Sequence, residues 1–144
     1  ISNVYPGQKQ PRKFVRKYNL VRLYHKNYAT MKDDFVHDRI ISLAKEYKIF
    51  QFKNSIYHYS FVSFSHYCQK MNFYTDELVK SFKEKNKKYP SWRLLTEFPF
   101  CFIKYYLIRR EFLNGFWGFS MSMIISFYRF LKIVKYFEFK KFSK

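Results

Sequence analysis

Glycine is scarce in this chain, with three residues in 144, and no glycine-rich phosphate loop is present. Cysteine is scarcer still. Cys68 and Cys101 lie far apart with no metal-ligand pattern around them, which argues against a disulfide scaffold or a zinc site and predicts buried, reduced thiols in a cytosolic protein. Residues 1–18 contain no apolar core of the kind a signal peptide requires. Acidic residues are few: 10 Asp and Glu face 28 Lys and Arg, leaving a formal charge of +18. Such an imbalance calls for a polyanionic partner, which leaves nucleic acid, an anionic membrane face or a phosphorylated substrate.

Aromatic residues are abundant, at 24% of the chain, with 19 Phe and 14 Tyr. Disordered basic arms are poor in such residues, so a folded chain is expected. Large rings mixed with Lys and Arg suit a water–lipid interface, and they equally suit stacking on RNA bases. The basic excess is spread over 1–64, 65–97 and 98–144 without a single basic tail. The chain opens on Ile1 and not on Met, which is the expectation for a piece of a longer reading frame.

Residues 1–18, with Pro6, Gly7 and Pro11, read as a loop or an arm crossing between elements. Alternation over Asn19–Tyr24 predicts a short strand, and Lys48–Phe52 and Ser55–Tyr59 predict two more around a turn at Lys53-Asn54. The period then changes. Phe64, Tyr67, Cys68, Met71, Thr75, Leu78, Val79 and Phe82 recur at three- and four-residue steps, which is one face of an amphipathic helix, with Ser63 or Ser65 as its cap. Pro90 stops it, Ser91 can cap a second helix, and Pro99 should kink or break that one.

Phe112–Leu131 is almost wholly apolar, interrupted by Asn114 and Arg129, and borderline for crossing a membrane. Gly115 and Gly118 favour a helix that begins there. Arg129, Lys132 and Lys135 recur every third residue, and the expectation is a helix lying in the membrane interface with this basic stripe towards lipid headgroups. An ordinary helix packed on its predecessor is the alternative.

Several segments carry a resemblance, in order along the chain. Tyr18-Asn19-Leu20-Val21-Arg22-Leu23-Tyr24, Val36-His37-Asp38-Arg39 and Ile56-Tyr57-His58-Tyr59-Ser60 come first. Lys70-Met71-Asn72-Phe73-Tyr74-Thr75, Phe112-Leu113-Asn114-Gly115-Phe116-Trp117-Gly118-Phe119 and Phe130-Leu131-Lys132 follow. Together they resemble bacterial family 2 glycosyltransferases, in particular the group that adds glucose or a related sugar to the lipopolysaccharide inner core. That group carries R-L-F, V-H-E or V-H-D, I-x-H-Y-S, K-M-N-R-Y-T, F-L-D-G-x-x-G-F and F-L-K at such places. The resemblance runs from about residue 18 to the end. Residues 1–17 depart from it, since Lys13-Phe14-Val15-Arg16-Lys17 stands where the family has G-W-Y-P-like residues.

The resemblance implies the C-terminal part of a GT-A domain, a Rossmann-like α/β sheet, so that the piece by itself is α/β or α+β. Residues 1–62 would close the catalytic domain with a few short strands. Residues 63–144 would form two to four helices in an amphipathic, membrane-facing region. It also implies inverting transfer from a nucleotide sugar to a lipid-linked saccharide on the cytoplasmic face of the bacterial inner membrane, with the protein held there peripherally. Nucleic acid is then not the expected partner. The diphosphate would be held by Mg or Mn on a D-x-D motif. This sequence has no D-x-D: Asp33 and Asp34 are adjacent, and they follow the arginine strand. The metal site should therefore lie upstream, and the present chain should be inactive alone.

Inverting transfer needs one base to take the acceptor's proton, and positive charge to steady the leaving diphosphate. Asp38 stands at the family's base position; apart from the resemblance it reads as a solvated aspartate. His37 either orients Asp38, touches the donor sugar, or is a histidine satisfied by backbone groups. Arg22 either grips a phosphate oxygen or forms a structural ion pair, and Arg39 is the second candidate for the diphosphate. His58 is a candidate for diphosphate contact and for an extra metal ligand, against a plain edge residue between two tyrosines. A basic, aromatic RNA-binding or ribosome-associated protein is the competing function.

Overall fold

A computed structural model describes residues 1–15, 17–21, 23–32, 39–42, 48–84 and 88–142, with residues 32, 39, 42, 83 and 84 described by backbone alone. Within these the chain is a mixture of helices and two small sheets. Strands β1 (Ser2–Asn3) and β4 (Tyr57–His58) pair in parallel, and β2 (Ala29–Lys32) and β3 (Arg39–Ser42) pair antiparallel. Three helices follow, α1 (Phe64–Glu84), α2 (Arg93–Ile103) and α3 (Phe116–Phe142). A π-helical segment, Lys104–Ile108, and a 3₁₀ turn, Glu111–Asn114, connect α2 to α3.

The first and third helices form where their sequence signals place them. The three- and four-residue spacing produces α1, and Ser63 Oγ accepts the His66 amide at 3.0 Å as its cap. On the inner face of α1, Val79 and Phe82 join Tyr89 and Ile133 as a small core, flanked by Leu78, Leu94, Tyr136 and Phe137. Ile133 is fully buried, worth roughly 1.5–3 kcal/mol against exposure. At the start of α3, Gly118, Ser122 and Ser126 are all buried at four-residue steps, so small side chains let this end approach its neighbours. Ser126 returns its hydroxyl to the Ser122 carbonyl at 2.7 Å.

Five expectations need correction. Ser91 does not cap α2: Trp92 holds the N-cap place without a side-chain bond. Pro99 sits inside α2 and does not break it, the helix running on to Ile103, with packing of α2 on α3 offsetting the missing amide bond. The chain instead turns at Arg110, whose φ is +58°. The alternating segment Asn19–Tyr24 is not a strand in its described residues, and Leu23 there is 82% exposed. None of its described residues pairs with a described strand, and alternation without a partner leaves a ladder unformed. Of the two strands expected over 48–59, only Tyr57–His58 forms. It pairs with the N-terminal arm, the Ser2 and Val4 amides donating to the Ile56 and His58 carbonyls at 2.9 and 3.1 Å.

The fifth correction concerns the basic stripe on α3, which faces protein. Arg129 Nε donates to buried Glu97 at 3.1 Å. Buried Lys132 places its ammonium over the rings of Phe82 and Tyr89. Lys135 reaches α1, donating to Asn72 Oδ1 at 2.8 Å, Thr75 Oγ1 at 2.9 Å and Asp76 Oδ1 at 2.6 Å. Each cation finds acceptors or ring faces on α1 and α2, which outweigh solvation at a headgroup layer. Among the described residues no helix is long and apolar enough to cross a membrane.

Candidate functional site

Of the side chains singled out from sequence, Arg22, His37 and Asp38 lie outside the described residues. Arg39 is described by its backbone, which opposes Lys32 in the β2–β3 ladder. Residues 33–38, which join those paired strands, contain both His37 and Asp38. His58 sits in β4 opposite Asn3, exposed, with Nδ1 at 3.1 Å from Asn3 Oδ1.

Asn3 also borders a small cavity where the N-terminal arm meets the helices, of about 110 Å³. Its best-organised polar group is Glu111, in the first turn of the 3₁₀ segment. Glu111 Oε2 accepts the Tyr5 hydroxyl at 3.1 Å and the Asn114 amide nitrogen at 2.9 Å. Asn114, itself buried, also donates to the Phe14 carbonyl at 3.4 Å. Burial first, and the Glu111 charge second, push the Tyr5 phenol well above its usual range, so it stays a proton donor. Tyr67, across the cavity, is pushed up in the same direction, chiefly by burial.

The quoted F-L-N-G-F-W-G-F segment builds this junction. Gly115 adopts φ +57°, the left-handed region that favours glycine, between the 3₁₀ turn and α3. Trp117 stacks on Tyr5 at 5.7 Å and on Phe64 at 5.5 Å, clamping the arm and α1 to the start of α3. At Gly118 a Cβ would lie 1.8 Å from the Glu111 carbonyl oxygen. Only glycine permits that approach, and the approach sets where Glu111 stands.

The K-M-N-F-Y-T segment is structural too. Lys70 Nζ donates to the Ser60 carbonyl at 3.2 Å, and Asn72 and Thr75 receive Lys135. At about 110 Å³ the cavity has room for only a few water-sized groups and is far too small for a nucleotide sugar. Ser122 Oγ, on its lining, and Asn114 Oδ1 are buried without a hydrogen-bond partner. Among the described residues no three His, Cys, Asp or Glu side chains gather to hold a metal ion.

Sequence reasoning missed Tyr5 and Glu111, which are separated by 106 positions. The available signal was Glu111 itself, an isolated carboxylate immediately before the F-L-N-G motif in a strongly basic region.

No family model matches the chain, and no solved structure matches it. Curated proteins do. A protein of Rickettsia prowazekii (strain Madrid E) named as an uncharacterized glycosyltransferase is 36% identical over 138 residues, 92% of this chain and 47% of that protein. One of Rickettsia typhi with the same description is 34% identical over 139 residues, 92% of this chain and 47% of its own. A third, from Rickettsia felis, is 36% identical over 137 residues, covering 90% and 48%. The chain thus spans about half the length of the curated relatives it matches, and that similarity supports a glycosyltransferase-related function over an RNA-binding one.

Proposed function

We propose that this chain is the C-terminal portion of an inverting, family 2-type glycosyltransferase that moves a sugar from a nucleotide-sugar donor to a lipid-linked saccharide such as a lipopolysaccharide core. The observation that carries it is the 34–36% identity to proteins named as glycosyltransferases over about nine-tenths of the chain. The motif order along the sequence supports the finer assignment. Asp38 is the base that takes the acceptor hydroxyl's proton as the oxygen attacks the anomeric carbon, with His37 beside it in sequence. Arg22 and Arg39 steady the departing diphosphate, and His58 contacts it. The divalent metal and its carboxylate ligands belong to the other half of the enzyme, and this chain alone is inactive.

The membrane contact is the surface of α2 and the turns after it. Phe100, Ile103, Leu107, Ile108, Phe112 and Phe116 are all exposed there, among Lys104, Arg109 and Arg110. Such a mixture fits the interface of an anionic inner leaflet, on which the enzyme sits peripherally.

The test is Asp38→Asn in the chain joined to a donor-binding half. The expected result is loss of sugar transfer by two or more orders of magnitude with the circular dichroism spectrum retained. Transfer at the parental rate would overturn the assignment.

A further inference from the structure

Away from the Glu111 junction, α2, the π-helical segment and α3 enclose a second and larger cleft of about 550 Å³. Four cationic side chains line it, Arg93, Lys104, Arg109 and Arg129, against one carboxylate, Glu97. Glu97 is 6% exposed and anchors two of the four: Arg93 Nε donates to Oε2 at 3.0 Å and Arg129 Nε to Oε1 at 3.1 Å. Arg93 also lies over the Tyr89 ring at 4.8 Å, and Arg109 over Tyr105 at 4.1 Å. Three guanidinium groups are therefore held in place before any ligand arrives. Among the described residues neither Lys104 nor Arg109 has a carboxylate within ion-pair distance. One buried carboxylate neutralises only part of this charge, and the arginine side chains stay partly open to solvent, at 28% for Arg93 and 49% for Arg129.

We propose that this cleft binds a phosphoryl group carried by the acceptor. The residue chemistry selects the ligand. Pre-held guanidinium forks match the several oxygens of a phosphate ester or diphosphate, and a lysine adds a point charge. Trp92 and Phe100, both exposed on the lining, offer flat apolar faces for the sugar ring or acyl stem that the phosphate is attached to. Because the phosphate is assigned to the acceptor, the inference deepens the glycosyltransferase proposal. Its readout is separate, since phosphate binding by this chain and sugar transfer by the joined enzyme can each fail without the other.

The experiment is calorimetric titration of the chain with inorganic pyrophosphate. Saturable binding to one site is expected, weakened at least about tenfold in the double variant Lys104→Ala, Arg109→Ala, the loss of one charge-assisted contact or more. A control pair outside the cleft, Lys140→Ala, Lys141→Ala, should bind as the parent does. Absence of saturable binding overturns the site, and so does equal weakening by both pairs, which would report diffuse charge. Vesicles of phosphatidic acid then identify the source. If they compete with pyrophosphate, the phosphate is a lipid's; if they do not, it is a soluble phosphate ester's. Either result upholds the cleft, whereas vesicle binding unaffected by the Lys104, Arg109 double variant and without any pyrophosphate binding removes it.

Discussion

Gly118→Ala puts one methyl group where the structure has no room. Alanine is the better helix former by about 1 kcal/mol, so on an isolated helix the change would stabilise α3. Here the new Cβ would stand 1.8 Å from the Glu111 carbonyl oxygen and 2.7 Å from its carbonyl carbon. Both are backbone atoms, so no side chain can swing aside, and relief requires the 3₁₀ turn to move away from α3 by more than about 1 Å. Overpacking at this level costs at the upper end of the usual 1–3 kcal/mol, and moving Glu111 also strains its bonds from Tyr5 and Asn114. Net of the helix gain, about 2 kcal/mol of destabilisation is expected, a fall in Tm of roughly 4–8 °C for a chain of this size. Near-ultraviolet circular dichroism should report it with a changed aromatic signal, because Trp117 and Tyr5 stack at this junction. A variant that melts at or above the parental temperature would refute the close approach and the placement of Glu111 that depends on it.

Alkaline titration should separate the tyrosines. Tyr128 is pushed up to about 12, by burial first and then by its neighbour Cys68, whose carbonyl accepts the phenol at 2.8 Å. A proton held more tightly when folded stabilises the fold below pH 10, the unfolded value, and that advantage fades as pH rises from 10 towards 12. Phenolate absorbance at high pH should show a fraction of tyrosines that ionise only with unfolding; a single transition near 10 for all of them would contradict the burial. For the membrane contact, the chain should pellet with anionic vesicles and be released by salt, and Leu107→Glu, Ile108→Glu should reduce pelleting by about an order of magnitude or more. Undiminished pelleting by that variant would move the contact elsewhere.

Local signals were readable in proportion to how local their causes are. The periodic apolar positions of α1 needed no partner to be recognised. The start of α3 beside Gly115 and Gly118 was visible for the same reason. The segment Asn19–Tyr24 shows the limit for strands: alternation reports a capacity to pair, and pairing also requires a neighbour. The Tyr5–Glu111 contact, joining residues 106 apart, leaves no local trace. Asp38 and His37 were singled out only through the ordered motifs around them, since a lone aspartate beside a histidine carries no chemistry of its own, and both lie outside the described residues.

The stripe Arg129, Lys132, Lys135 is the most instructive case, because its spacing was read correctly and its direction was not. A three-residue step fixes that three cations share a helix face, and it is silent on what that face meets. Cations on the inner side of a helix require carboxylates, carbonyls or ring faces on neighbouring helices, and here Glu97, Asn72, Asp76, Phe82 and Tyr89 provide them. This inward turn also bears on the membrane question. With the stripe engaged by protein groups, Lys104, Arg109 and Arg110 still place charge at the edge where Ile103, Leu107 and Ile108 are exposed. Apolar insertion and electrostatic attraction then act at one place, next to the cationic cleft. A phosphorylated, lipid-borne acceptor would meet the cleft and the apolar edge in the same encounter: the two proposals share Phe100, Lys104 and Arg109, while Ile103, Leu107 and Ile108 belong to the membrane contact and Arg93 and Arg129 to the cleft.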